Sequence, residues 1–136
     1  SLNMFFTGVF GNDVYDCTRA QYNTVSNVAA GKNVLKEVAS SQHFGDGYAQ
    51  APSDRYLENG SYLRLSTLTL GYNFGKIGDW LQGLSVYATA NNLFTITSYK
   101  GLDPEVSLGG IDPGMDYRWS FYPHTRSYMI GLKVNF

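Results

Sequence analysis

Residues 127–136, SYMIGLKVNF, alternate strictly between apolar and other side chains up to the end of the chain. Tyr128, Ile130, Leu132, Val134 and Phe136 share one parity, and this period-two pattern predicts a β-strand with one apolar face. The composition favours strands as well, because 15 glycines and 15% aromatic residues in a chain of 136 suit strands and irregular loops better than helices. The sequence therefore predicts an all-β fold.

Four segments carry this alternation, at residues 1–10, 61–74, 84–94 and 125–136. They are about 9 to 14 residues long, against roughly 5–6 for the commonest strand in globular proteins. The connections at 11–60 and 95–124 are long, polar and rich in glycine, whereas the connection at 75–83 is short. Because successive antiparallel strands reverse direction, we expect both long connections at one end of the sheet and the short one at the other.

Long strands with long connections at one end are typical of transmembrane β-barrels, in which about 9–11 residues cross the apolar layer. Arg64 lies ten residues before Phe74, and Arg126 lies ten residues before Phe136, in each case on the same parity. Phe94 occupies the equivalent place in the third strand. We expect these three side chains to face outward at the opposite interface. The interpretation makes 11–60 and 95–124 extracellular loops and 75–83 a periplasmic turn. A soluble β-sandwich, whose strands also alternate, is the alternative.

Composition narrows the classes of partner. The net charge of −1 provides no basic patch for nucleic acid. Cys17 is the single cysteine and is interpreted as a small apolar residue. No apolar run reaches the ~18 residues of a transmembrane helix, and we predict no cofactor. Since the chain opens on Ser1 inside an apolar strand-like segment, we expect it to continue upstream.

The final strand resembles the C-terminal assembly signal of bacterial outer-membrane barrels. Gly131, Val134 and Phe136 have its glycine, apolar and aromatic spacing, and Tyr128 and Ile130 extend the alternation. Met129 departs from the pattern, which usually has a polar residue there. The resemblance implies that the barrel-assembly machinery recognises this strand.

A second resemblance covers nearly the whole chain. Residues 11–16, 52–74, 91–106 and 122–136 are similar, in order and spacing, to the end of the SusC/RagA-like TonB-dependent transporters of Bacteroidota. The resemblance implies the last four antiparallel strands of a barrel of about 22 strands, in the outer membrane. A plug and a segment that contacts TonB would lie upstream.

The same resemblance implies an importer of glycans, oligosaccharides or peptides that works with a SusD-like surface lipoprotein. A passive porin or adhesin barrel, and a soluble carbohydrate-binding β-domain, are the other functions considered. No catalytic motif is present, so an enzyme is not expected.

The last long loop holds the candidate binding residues. Its aromatic side chains are candidate contacts for substrate or for the lipoprotein: Tyr99, Tyr117, Trp119 and Tyr122. The alternative is that these rings pack the loop onto itself and form the outer aromatic girdle. Its carboxylates are weak candidates for a calcium site, at Asp103, Glu105, Asp112 and Asp116, but they lack EF-hand spacing and fit turns equally well. In the first long loop a short helix is predicted over 33–39.

Overall fold

The computed structural model describes residues 1–22, 25–34, 36, 53–78, 80–106, 114–116 and 122–136. The chain divides into two compact units, which are treated separately below. The sheet unit comprises Ser1–Val9, Tyr62–Thr97 and His124–Phe136, and the loop unit comprises Phe10–Ser61 and Ser98–Pro123.

The described elements follow one another as strands with two short helices near the start. In chain order they are β1 (Leu2–Val9), β2 (Asp13–Tyr15), α1 (Cys17–Tyr22), α2 (Val25–Ala29), a 3-10 turn (Asp54–Tyr56), β3 (Leu57–Asn59), β4 (Tyr62–Ile77), β5 (Leu81–Thr97), β6 (Gly114–Met115) and β7 (Ser127–Asn135). No helix in the described part of the chain has the length and hydrophobicity needed to cross a membrane.

The sheet unit is a four-stranded antiparallel sheet in the order β1-β4-β5-β7, so each strand pairs with the next long strand along the chain. This arrangement confirms the all-β, antiparallel fold class. The turn predicted at 75–83 is wrong in its extent, because Ile77 pairs with Leu81 and the connection shrinks to residues 78–80. Glycines at 75 and 78, both with positive φ, interrupt the alternation that would have revealed the longer strands.

One face of the sheet is polar and hydrogen-bonded across the strands. Thr69 and Thr89 share a hydrogen bond of 3.1 Å between their hydroxyl oxygens. In the next row the Thr67 hydroxyl donates to Asn91 Oδ1 at 3.3 Å, and Asn91 Nδ2 donates to Ser127 Oγ at 3.1 Å. These contacts fix side chains from three strands on one surface, although Phe5 and Met129 also lie in this series and are exposed.

The opposite face is apolar and open. Its cross-strand rows include Leu2, Leu70, Ala88 and Ile130 in one line, and Tyr72, Val86 and Leu132 in another. Leu70 is 52% exposed, Tyr72 66% and Ile130 79%. Apolar side chains aligned in rows and left this exposed are unusual on a protein that folds in water.

A bulge at the upper part of β4 and β5 changes which residues share a face. Leu65 pairs with Phe94 while Thr67 pairs with Asn91, so Asn92 and Leu93 stand opposite the single Ser66. Asn92 has a φ of 51°, in the left-handed region that asparagine tolerates better than most residues. On the other side of β4, Phe5 pairs with Thr67 and Phe6 with Leu65, so Ser66 is an extra residue of β4 relative to β1. An extra residue reverses the facing of the rest of its own strand, so the residues of β4 beyond Ser66 change faces.

The expected outward position of Arg64 is therefore wrong. Arg64 pairs with Thr7 on β1 and Thr95 on β5, both of which continue the series of the polar face. Its side chain is buried, at 2% exposure, and its Nε donates to Thr95 Oγ1 at 3.0 Å, with the guanidinium 5.4 Å from the ring centre of Tyr62. Arg126, by contrast, is exposed.

The loop unit contains a second sheet that the sequence pattern did not reveal. Its order is β3-β2-β6, with β2 antiparallel to β3 and parallel to β6. Val14 at the centre of β2 is fully buried and packs with Tyr99 and Val106. The strands have only two or three residues each, too few to display a period. Most of the helix predicted over 33–39 lies outside the described residues.

The different settings of the two arginines generate a prediction. Arg64→Ala should lower the free energy of unfolding by about 1–3 kcal/mol, because a buried charged donor and its packing are lost beside Thr95. Arg126→Ala should change it by less than about 0.5 kcal/mol, as expected for an exposed position. The measurement is the midpoint of thermal unfolding of each variant. Equal effects would restore the outward placement of Arg64.

Candidate functional site

The terminal strand presents its apolar series to the outside of the sheet unit. Tyr128, Ile130, Val134 and Phe136 are all exposed. The strand pairs along its whole length with β5, from Ser127 opposite Asn91 to Asn135 opposite Gly83. The side chains of Tyr128, Ile130, Val134 and Phe136 thus share one face of a strand that is paired along its length.

Gly131 is the exception in this line, since it belongs to the opposite face. It pairs with Tyr87 on β5, and the ring of Tyr87 occupies the space in which a side chain at 131 would begin. Any residue larger than glycine would collide with the ring carbons and hydroxyl of Tyr87. The glycine of the predicted signal therefore has a physical reason in a specific cross-strand contact.

In the loop unit, two buried carboxyl groups organise the chain. Asp16 and Asp116 are each 3% exposed and share a side-chain hydrogen bond, although they are far apart in sequence. Asp16 Oδ1 accepts a 2.6 Å bond from Arg19 N, which caps the start of α1. Asp116 accepts bonds from Thr18 N at 3.1 Å and from Tyr99 Oη at 2.9 Å. Three separate segments are joined through this pair.

Burial changes the acidity of these groups. It raises the pKa of Asp16 from 3.8 to about 6, and the nearby Asp116 and Glu58 add to the effect, whereas the bond from Arg19 N opposes it. Burial and the same two aspartates raise the pKa of the Cys17 thiol, which makes it a poor nucleophile. Burial and Asp116 also raise the pKa of Tyr99, so its hydroxyl remains a donor.

Glu58 provides a second connection inside the loop unit. Its Oε1 accepts a 2.7 Å bond from the guanidinium of Arg19, and its Oε2 accepts a 3.0 Å bond from the backbone nitrogen of Lys100. Beside this bridge lies a cleft of about 410 Å³, lined by residues that include charged groups of both signs: Asp16, Thr18, Arg19, Lys36, Lys100, Gly101, Leu102 and Asp116.

Comparison with known proteins identifies the family. The chain is 34% identical over 138 residues to the TonB-dependent receptor SusC of Bacteroides thetaiotaomicron, covering 98% of this chain and 11% of that protein. It is 30% identical over 154 residues to the TonB-dependent receptor P26 of Formosa agariphila, covering 98% and 15%. The chain belongs to the SusC-like TonB-dependent receptors. No protein-family profile matches it.

Solved structures of the RagAB peptide transporter share its fold. The RagAB peptide importer in the 'closed-closed' state superposes with a TM-score of 0.68 at 25% identity, covering 98% of this chain and 15% of that one. The chain thus spans about a tenth to a seventh of the length of its relatives and corresponds to their C-terminal part. Like them, it is placed in the outer membrane of Bacteroidota.

The predicted contact residues of this SusC-like chain divide into three groups. Tyr122 is exposed and available to a partner. Tyr99 is not, because it is 6% exposed and its hydroxyl is bonded to Asp116. Of the two alternatives for this ring, the structure therefore agrees with packing inside the loop and not with a surface contact. Tyr117 and Trp119 lie outside the described residues.

The carboxylates named as weak metal candidates are not brought together where the structure describes them. Asp103 Oδ1 accepts a 3.0 Å bond from Glu105 N, a local turn contact of the kind that aspartate before proline favours. Asp116 is instead bonded to Thr18 and Tyr99. Within the described ranges no three His, Cys, Asp or Glu side chains form a group suited to a metal, and Asp112 lies outside those ranges.

Two functional candidates escaped the sequence reasoning. Asp16 lies in the segment 11–16 that carries the family resemblance, but its role depends on its pairing with Asp116, 100 positions further along the chain. Tyr87 lies in the third predicted strand, at 84–94, yet nothing local indicated that its ring covers Gly131. Both depend on contacts between distant segments, which local patterns do not encode.

The raised pKa of Asp16 predicts that the loop unit is stabilised by acid. Protonation of Asp16 is favoured in the folded state, so its contribution is complete below pH 4 and is lost as the pH rises through about 6. Amide hydrogen exchange of the loop unit, corrected for intrinsic rates, should show stronger protection at pH 5 than at pH 7.5.

The matched variants are Asp16→Asn and Asp54→Asn. The amide at position 16 can donate to Asp116 at any pH, so Asp16→Asn should keep protection at pH 7.5 and remove the pH dependence. Asp54 is exposed, and its variant should behave like the unchanged protein. Protection that rises between pH 5 and 7.5 in the unchanged protein would contradict the assignment.

Proposed function

We propose that this chain is the C-terminal barrel segment of an importer that takes up nutrients across the outer membrane. The single observation that supports this most is the division of the sheet into an exposed apolar face and a hydrogen-bonded polar face. The apolar face suits contact with lipid, and the polar face suits the water-filled lumen of a barrel. The soluble β-domain is disfavoured by the same observation, because its outer face would be polar.

The proposal also covers what the importer carries and what drives it. Relatives named TonB-dependent receptors, and a peptide importer among the fold neighbours, support active uptake. The proposed substrates are glycans, oligosaccharides or peptides, and the proposed route is a barrel of about 22 strands. TonB would act on the part of the protein that precedes this chain. A SusD-like surface lipoprotein would meet the loop unit, and exposed Tyr122 is the described aromatic residue proposed to contact it.

The outward series of β7 is the proposed assembly signal. Tyr128, Ile130, Val134 and Phe136 would be presented to the barrel-assembly machinery as one apolar line, with Gly131 on the other face. Under this proposal residues 11–60 and 95–124 are extracellular, and the turn at 78–80 is periplasmic.

Facing can be tested with arginine substitutions on the two sides of the sheet. Leu70→Arg and Val134→Arg should impair folding in the membrane, by roughly 2–4 kcal/mol near the bilayer midplane and less toward the interface, because the charge would enter lipid. Thr69→Arg, one position away on the polar face, should be tolerated. The measurement is the amount of folded barrel in outer-membrane fractions, scored by heat-dependent mobility. Equal tolerance at both parities would refute the lipid-facing assignment.

Transport and partnership can be tested on the full-length protein from native outer membranes. Affinity capture should yield a polypeptide several times longer than this chain, together with a lipoprotein, and Tyr122→Ala should reduce the ratio of lipoprotein to barrel. Uptake of the nutrient that a deletion strain fails to use should stop when the proton gradient is collapsed. Uptake that continues without the gradient would instead indicate a passive porin.

A further inference from the structure

The apolar pattern of β7 leaves its pairing with β5 incompletely determined. Every outward residue of β7 from Tyr128 to Val134 is apolar. If β7 slid by two residues along β5, each outward residue of β7 would take the place of another apolar one, so the pattern of the face would not change. A shift by one is excluded because it would reverse the faces. Alternation therefore allows several registers between β7 and β5, each two residues from the next. A further feature is needed to select one of them.

The inward series of β7 contains that feature. Its members are Ser127, Met129, Gly131, Lys133 and Asn135, with one glycine among residues that all carry a Cβ. In the observed register this glycine lies opposite Tyr87, whose ring fills the space above it. A shift by two residues would place Met129 or Lys133 there, and either side chain would occupy the volume of the ring.

We propose that the contact between Tyr87 and Gly131 sets the register in which the terminal strand joins the sheet. Tyr87 also pairs with Gly71 on its other side, so in this row the aromatic ring is the only side chain across three strands. A ring lying over a cross-strand glycine covers backbone that would otherwise be exposed and adds contact area. The role of Tyr87 is one of positioning and does not depend on what the protein transports.

The first test measures folded protein for glycine variants of the full-length receptor in its outer membrane. Gly131→Ala should lower the folded fraction by about tenfold, because the added methyl overpacks against the ring. Gly83→Ala is the matched control: it lies on the same sheet, and the nearest atom to its new Cβ is the flexible Asn135 amide at 3.3 Å. Its folded fraction should change by less than about twofold.

The double variant Tyr87→Ala with Gly131→Ala distinguishes two explanations of a defect in Gly131→Ala: a clash with the Tyr87 ring, and a requirement for glycine at position 131 that is independent of the ring. It should restore the folded fraction lost in Gly131→Ala, since the methyl then has room, while Tyr87→Phe alone should behave like the unchanged protein. If the double variant folds no better than Gly131→Ala, or if Gly131→Ala matches Gly83→Ala, the proposal is overturned.

The second test measures register directly by disulfide trapping in a Cys17→Ser background. Ser85→Cys with Lys133→Cys reports the observed register, and Ser85→Cys with Asn135→Cys reports a shift by two residues. With Tyr87 present, the first pair should cross-link and the second should not. With Tyr87→Ala, the second pair should gain cross-linking at the expense of the first. Unchanged trapping in Tyr87→Ala would overturn the proposal without affecting the transport assignment, because neither readout requires uptake.

Discussion

The pairing of backbone groups between neighbouring strands determines nearly everything else in the sheet unit, because paired residues must share a face. In an apolar medium each backbone N–H and C=O needs a partner within the protein, so the ladder cannot be relaxed to suit individual side chains. Side-chain chemistry then has to follow the ladder. The row of Asn3, Thr69, Thr89 and Met129 shows this, since the ladder places Met129 among polar neighbours.

The bulge beside Ser66 demonstrates how local the control of facing is. Below it, odd residues of β4 lie on the polar face, whereas above it Arg64 takes that face and finds Thr95 as a partner. A strict alternation through this point would have put a guanidinium on the apolar surface. The extra residue of β4 at Ser66 thereby moves a charge from the apolar side to the polar side.

The parts of the structure that sequence could predict are those whose information is local. Strand type, strand order and the two faces follow from the alternation and the succession of antiparallel strands, as in residues 67–74 and 127–136. The small sheet around Val14, the buried pair of Asp16 and Asp116, and the ring of Tyr87 could not be predicted, since each arises from segments brought together by the fold. Tyr99 illustrates the consequence: the sequence left open whether its ring contacts a partner or packs inside the loop, and only its burial and its bond to Asp116 show that it is interior.

The terminal strand carries two kinds of information on its two faces. In the proposed assignment the outward series faces lipid, and because it is apolar at every second position it carries no information about register. The inward series does carry such information, because Gly131 alone lacks a Cβ and the ring of Tyr87 occupies the place where one would lie. In the proposed assembly, the machinery first recognises the strand and the strand then joins one particular partner, and these two steps need different properties. Repetition suits the first step, and a single non-repeating position suits the second.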